Sequence, residues 1–434
     1  MSVELVFIGK LLLSFFLTGL IFYVSTRAER FRHRLDGQEN RWLTGAFVAF
    51  RLIPFVVVYL ILDEYPRGDV PFFYEKGAKA LQGGLVYVDF WSFHAPIFAY
   101  ILALPLVVWH SAKAIVLLML LGEWLTVHLT YRYYATRAGK TPSDSALSAL
   151  LYWLQPAPLV ICLLGGQEDI WLWLFGLLSV QVLNRSHLSD GQAWFRAGLI
   201  MAAALLCLKV TFVMILFPVF FLVRNKARFV GALALVGVPA LLGLYVIVGT
   251  AFLMPMQHGD LPFSPNLSTV LRPFLGVWMT DVPLKTLNWI GLCLTLLFLV
   301  TTGLRYRHLS YRQAFPALWI ITFGWFMLLQ ASAMAYYIFI FLVAFVFELV
   351  PLSNRRRIVF LVGINWLVVV QPFVSVYYGQ PLFNSLSQLA SPTNLLIYAL
   401  EAATVGCVGG MVWLAYQRLA ELNVVRKPEP ISQE

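Results

Sequence analysis

The sequence predicts an all-α polytopic membrane protein, and three observations carry that expectation. Apolar residues make up 60% of the 434 residues and charged residues 12%, with a mean hydropathy of +0.78, far from the range of soluble domains. Apolar runs of about 20 residues, long enough to cross a bilayer at about 1.5 Å per residue, recur from end to end. These runs are continuous rather than alternating, which excludes a transmembrane β-barrel.

About 13 transmembrane helices follow, near 5–26, 43–62, 112–131, 145–163, 169–184, 197–208, 210–223, 229–249, 286–304, 314–331, 334–350, 358–376 and 395–416. The first run, LVFIGKLLLSFFLTGLIFYV, is too long for a signal-peptide core and lacks a small-residue cleavage site, so it reads as a span. Between spans, basic clusters stand at RAERFRHR (27–34), YRYYATRAGK (131–140), NRSH (184–187), RNKAR (224–228), RYRHLSYR (305–312), NRRR (354–357) and from Arg418 to Lys427. Lys and Arg concentrate in cytoplasmic loops, so these clusters mark one side. The net charge of +10 then reflects sidedness and points to membrane lipids, not nucleic acid, as the partner. The N-terminus is expected outside and the C-terminus in the cytoplasm. The piece IFAYILALPLVVW (97–109) has no place in this alternation and is expected as a helix at the outer interface. Residues 1–420 read as one transmembrane catalytic domain, with a first outer loop at 63–111 and a long outer loop at 250–285. Residues 421–434 read as a polar cytoplasmic tail without fixed structure. Cys162, Cys207, Cys293 and Cys407 all fall in apolar runs, as small hydrophobes do.

Ionisable groups at span ends are expensive and therefore informative. On the expected outer side stand Asp63, Glu64, Asp69, Glu75, Lys76, Lys79, Asp89 and His94. They are joined by Glu168 and Asp169 in GGQED, by Lys209 between two short apolar runs, and by His258, Asp260, Arg272, Asp281 and Lys285. Carboxylates beside lysine and arginine suit phosphate-linked chemistry: cations hold a phosphate leaving group while a carboxylate takes the proton of an attacking hydroxyl. Each group also has a bland role. Asp63 and Glu64 at a helix end read as solvated or capping, Asp169 as the N-cap of IWLWLFGLL, and Lys209 as snorkelling. Lys10 and Arg51 read as packing or lipid contacts, and Tyr336 and Tyr337 as interfacial aromatics. The sequence contains no GxxxxGK[ST], HExxH or CxxC, which argues against ATP hydrolysis by a P-loop and against a zinc hydrolase.

The segment GDVPFFYEKGAKALQGGLVYVDFWSFHAP, just after an early span, resembles the first outer loop of polytopic GT-C-type glycosyltransferases. The resemblance rests on Asp69, Tyr74, the small-residue stretch from Gly77 to Leu81, Gly83 and Gly84, Tyr87, Asp89 and Phe90, and Pro96. It extends through LYWLQPAPLVICLLGGQEDIWLWLF and ALLCLKVTFVMILFPVFFLVRNKAR. SPNLSTVLRPFL is similar to an Asn-x-Ser segment of the mannosyltransferase branch. Members of that branch often carry a histidine near the outer end of a late helix, where this chain has QASAMAYY and His258 is the substitute.

What the resemblance implies is a GT-C-like bundle that moves a mannose-like hexose or a pentose from a polyprenyl-phosphate donor. The acceptor is a lipid-linked or cell-envelope glycan, reached by inverting attack on the extracytoplasmic side of a membrane, the bacterial plasma membrane ahead of the ER. Asp69 would be the general base, with Asp63 and Glu64 as alternatives. Lys209 and Arg272 would hold the departing phosphate, and Gln167, Asp169 and Asn266 would contact hydroxyls. Glu64, Tyr74, Lys79, Asp89, His94 and His258 complete the expected substrate-binding set. No cofactor is required; a metal beside these carboxylates is compatible. The rival readings are a transporter or flippase for a lipid-linked or anionic substrate, and a membrane scaffold without catalysis. A transporter predicts helices broken at the bilayer midplane and pseudo-symmetric halves; the gathering of ionisable groups on one side favours the enzyme.

Overall fold

The structure, a computed structural model, describes residues 3–137, 140–185, 187–379 and 382–424. Most of the expected tail, residues 425–434, therefore lies outside the described residues. The described chain is helical, with no strand among the described residues. Eight helices are long and apolar enough to cross a membrane: Glu4–Thr26, Glu39–Ile61, Ala112–Ala135, Lys226–Asp260, Leu284–Arg305, Tyr311–Leu329, Arg355–Ser375 and Pro392–Val424. Pro142–Trp153 and Pro156–Leu164, bent by 54°, add a ninth if the pair counts as one. The bend falls where Gln155 leaves the helical region and two prolines follow at 156 and 158. The protein is thus an integral membrane protein by the length and composition of its helices.

The remaining expected spans are helices too, but shorter or more polar. Ile170–Val182, Val210–Phe220 and Ala335–Leu349 are apolar but short, and Asp190–Cys207 opens on a capping box between Ser189 and Gln192. At the basic end, Arg137 and Arg418 both bind the buried Glu348, Arg32 pairs with Asp144 at 2.6 Å, and Trp194 meets Tyr311 edge to face. At the other end lie the loops 62–69, 165–169, 208–209, 249–283 and 330–335.

Helix Phe98–Val108 has 11 residues and spans about 16 Å, about half the thickness of a bilayer core. It packs on helix Val70–Leu81, where Gly77 lets the Leu102 carbonyl approach; an added Cβ would lie 3.1 Å from that oxygen. The main core is aromatic, with Trp153, Trp173, Trp319, Phe212, Phe315 and Phe323 fully enclosed. Within it, Arg51 and Glu123 form a bidentate pair at 2.8 and 3.0 Å, both fully buried. Tyr152 donates to the same carboxylate at 3.0 Å. Arg51 therefore serves packing, and its charge is matched where it sits.

Candidate functional site

Two loops and a helix break build the site. In the first loop, Gly68 (φ +66°) lies against Gly165, whose carbonyl would be 2.8 Å from a Cβ at position 68. Gly166 (φ +65°) faces the Val70 side chain, whose Cγ2 would lie 2.1 Å from a Cβ there. Glycine suits both positions, with a left-handed backbone and no side chain at a close contact. The result sets Asp69 beside Gln167, whose amide Nε2 donates to Asp69 Oδ2 at 2.7 Å.

The far end of the same loop docks on the close of helix Asp190–Cys207. The Ala95 and Ile97 amides donate to the Leu208 and Leu206 carbonyls at 2.9 and 3.0 Å. That pairing carries His94 to Lys209, the residue at the helix break. His94 Nε2 lies 2.9 Å from Glu168 Oε1. Lys209 Nζ lies 2.8 Å from the same oxygen and 2.5 Å from Asp169 Oδ1. Glu168, Asp169 and His94 are buried.

Burial and charge set the protonation of this cluster. Burial opposes ionisation of Glu168, but Lys209 and His94 outweigh it and hold the carboxyl far below its ordinary range. Asp169 has only Lys209, and burial prevails, pushing it up to about 6. The two carboxyls share one cation, so they titrate as a pair with one proton held low and the other high. Burial also keeps His94 below its ordinary value despite the Glu168 contact. Its imidazole is therefore neutral at pH 7, and Lys209, held by two acids, stays charged.

His94 and Lys209 of this cluster border a cavity of about 1080 Å³. Asp69, His94, Lys209 and His258 line it, as do Lys76, Tyr336 and Tyr337. Lys76 is 5% exposed, sits 4.0 Å from the centre of the Trp91 ring, and forms no ion pair among the described residues. Burial lowers its amine to about 8. Tyr337 lies 5.9 Å from Lys209 Nζ and 3.5 Å, hydroxyl to ring nitrogen, from His258.

Several expected site residues are placed elsewhere. Asp63 pairs with Lys113, and Glu64 approaches Arg67 at 3.4 Å; of the three candidate bases only Asp69 lines the cavity. Lys79 pairs with Glu75 on the exposed face of their helix, 2.8 Å apart. Asp89 accepts from the Leu85 amide at 2.6 Å and closes its own turn, and Tyr74 packs edge-on against His110. Asn266 is a buried N-cap, bonded to Thr269, Phe263 and Ala331. Arg272 donates to Asn384 at 2.5 Å and borders a separate small crevice. Arg272, expected at the donor phosphate, is not among the residues that line the larger cavity. Lys209 lines the cavity, but two buried carboxylates already match its charge.

Two residues of the site, Glu168 and Lys76, are absent from the expected substrate-binding set. Among the described residues no group of three or more His, Cys, Asp or Glu is arranged to hold a metal ion. Comparison with family models, curated proteins and solved structures gives no match for this chain.

Proposed function

We propose that the protein is a GT-C-type membrane glycosyltransferase that uses a polyprenyl-phosphate sugar. Its thirteen crossings would set the cavity toward the extracytoplasmic side. One observation carries the reading: a carboxylate, Asp69, is fixed by Gln167 on the wall of a large cavity that also holds a buried lysine without an ion pair, Lys76. An acceptor hydroxyl gives its proton to Asp69 as its oxygen attacks the anomeric carbon. The bond from that carbon to the phosphate oxygen breaks, and the lipid phosphate leaves with the electron pair toward Lys76. Inversion follows from attack opposite the leaving group. The Glu168–Asp169–Lys209 cluster, with His94, supports the wall on which both groups stand.

Purified full-length protein in nanodiscs, given a panel of polyprenyl-phosphate hexoses and pentoses with a membrane lipid extract as acceptor, should form a glycosylated lipid seen by mass spectrometry. Asp69→Asn should fold and lower turnover by about 10²- to 10⁴-fold, the usual contribution of a positioned base. Absence of transfer from every donor, or near wild-type turnover by the variant, overturns the assignment.

A further inference from the structure

The cavity is also lined by polar groups from the start of helix Leu284–Arg305 and from the residues that follow helix Tyr311–Leu329. Asn288, Gln330 and Ser332 line it, and each is more than nine-tenths buried. Asn288 is fixed: its Nδ2 donates to the Gly259 carbonyl at 2.6 Å, and its Oδ1 accepts from the Ser332 amide and hydroxyl at 3.2 Å. Gln330 is not. Its amide Nε2 is buried and has no hydrogen-bond partner. Gly291, one turn beyond Asn288, lets the Leu329 carbonyl approach its helix; a Cβ there would stand 2.1 Å from that oxygen and 3.3 Å from Gln330 Nε2. An amide buried without a partner costs about 1–3 kcal/mol, a cost that a ligand bonded to it would relieve.

The chemistry of these groups is neutral. Lys285 and Asp260 also line the cavity but are exposed, whereas the buried groups are two amides and a hydroxyl. Trp289, next to Asn288 and 47% exposed, lines the same space. Amides that both donate and accept, beside an aromatic face, fit a molecule with vicinal hydroxyls and an apolar C–H surface. A phosphate finds no buried cation among them. The Tyr337 ring lies 5.9 Å from Lys209 Nζ and 6.4 Å from the Phe326 ring. Phe326 lies one turn before Gln330, whose backbone N–H donates to the Phe326 carbonyl at 3.0 Å.

We infer that Asn288, Gln330, Ser332 and Trp289 form a binding subsite for a neutral sugar unit of the acceptor. The acceptor role rests on the glycosyltransferase reading; sugar binding at these residues does not.

The test separates the two. Saturation-transfer NMR on full-length protein in nanodiscs uses octyl β-lactoside and octyl phosphate as probes. Lactoside sugar protons should saturate with wild type. Gln330→Met, which keeps the volume and removes the amide, should weaken lactoside binding by about tenfold, the worth of one such hydrogen bond, and leave octyl phosphate unchanged. Ser332→Ala, a smaller change, should weaken it in the same direction. Lys76→Gln should do the reverse, weakening the phosphate probe alone. No lactoside signal with wild type, equal lactoside binding by both subsite variants, or loss of the phosphate probe in Gln330→Met overturns the subsite. Absence of sugar transfer in the activity assay, with lactoside binding intact and sensitive to position 330, overturns the glycosyltransferase reading and leaves the subsite standing.

Discussion

Lys76 gives the site a pH dependence whose direction follows from its burial. Desolvation lowers its amine to about 8, so the cation is present at pH 7 and mostly lost by pH 9. A phosphodiester donor does not titrate in that window. Donor KM should therefore rise about tenfold from pH 7 to pH 9, one decade of deprotonation beyond a value near 8. Lys76→Arg, charged throughout, should flatten the profile, and Lys76→Gln should show a high, flat KM. A pH-independent KM in wild type removes Lys76 from the phosphate. At this scale the sequence was legible where an ionisable group is an outlier in apolar surroundings: Asp69, His94, Lys209 and His258 all line the cavity. It was not legible where neighbours compete. Lys76 and Lys79 are three residues apart on one helix, and only packing decides that 76 is buried while 79 pairs with Glu75 in the open. Glu168 was hidden behind Asp169 for the same reason. Adjacent acids look alike until His94 and Lys209 both bind the first.

Helices and loops meet here through contacts with no periodic signature. The glycine docking of loop 68–70 on 165–167 fixes Asp69 without any side-chain bond from its own helix. Gly68→Ala introduces a side chain at φ +66° and a Cβ 2.8 Å from a backbone oxygen, so the loop must shift. A left-handed alanine costs about 1–2 kcal/mol, small beside the geometric loss at Asp69. The variant should keep most of its thermal stability while kcat falls about 10²-fold, as misplacement of a reacting group by about 1 Å does. An unchanged kcat would sink the positioning role. The Arg51–Glu123 pair shows the opposite behaviour. It pins helix Glu39–Ile61 to helix Ala112–Ala135 inside the core, and breaking it strands a buried charge. Glu123→Gln should lower stability by about 3–5 kcal/mol, read as a fall in the denaturation midpoint. Asp69 geometry, and hence kcat at temperatures where the protein stays folded, should change little. The same midpoint in the variant and wild type would show that the pair is not what holds these helices. Hydropathy located the helices themselves, because apolar length is a property of sequence alone. It could not trace the long loop 250–285, whose path depends on which partners it meets, and so Arg272 was expected at the phosphate and is found on Asn384.

Charge orders the whole molecule into two ends, and those ends predict its topology. Helix Val3–Thr26 begins near the segment around Phe373, with Phe7 stacked on that ring at 3.7 Å, whereas the last helix carries Arg418 to Glu348 at the basic end. The two ends of the described chain therefore lie at opposite ends of the bundle, which requires an odd number of passages. Eight long helices alone give an even number. Counting the bent pair as one gives nine, and the proposed thirteen requires that the four shorter helices cross as well. The short helices, such as Ile170–Val182 at 13 residues and about 20 Å, would reach only part of a bilayer about 30 Å thick. The polar cavity shortens the hydrocarbon path they must fill. Single cysteines placed in a chain whose four natural cysteines are replaced by serine or alanine test this directly. An impermeant maleimide added to intact cells should label Asp260→Cys and Lys285→Cys, at the cavity mouth, and spare Arg307→Cys and Arg185→Cys until the cells are opened. Position 185 is the discriminating one, because it lies between two short helices. If it labels from outside together with position 260, Ile170–Val182 and Asp190–Cys207 do not cross. The same labelling of positions 260 and 307 would fail the two-ended assignment altogether.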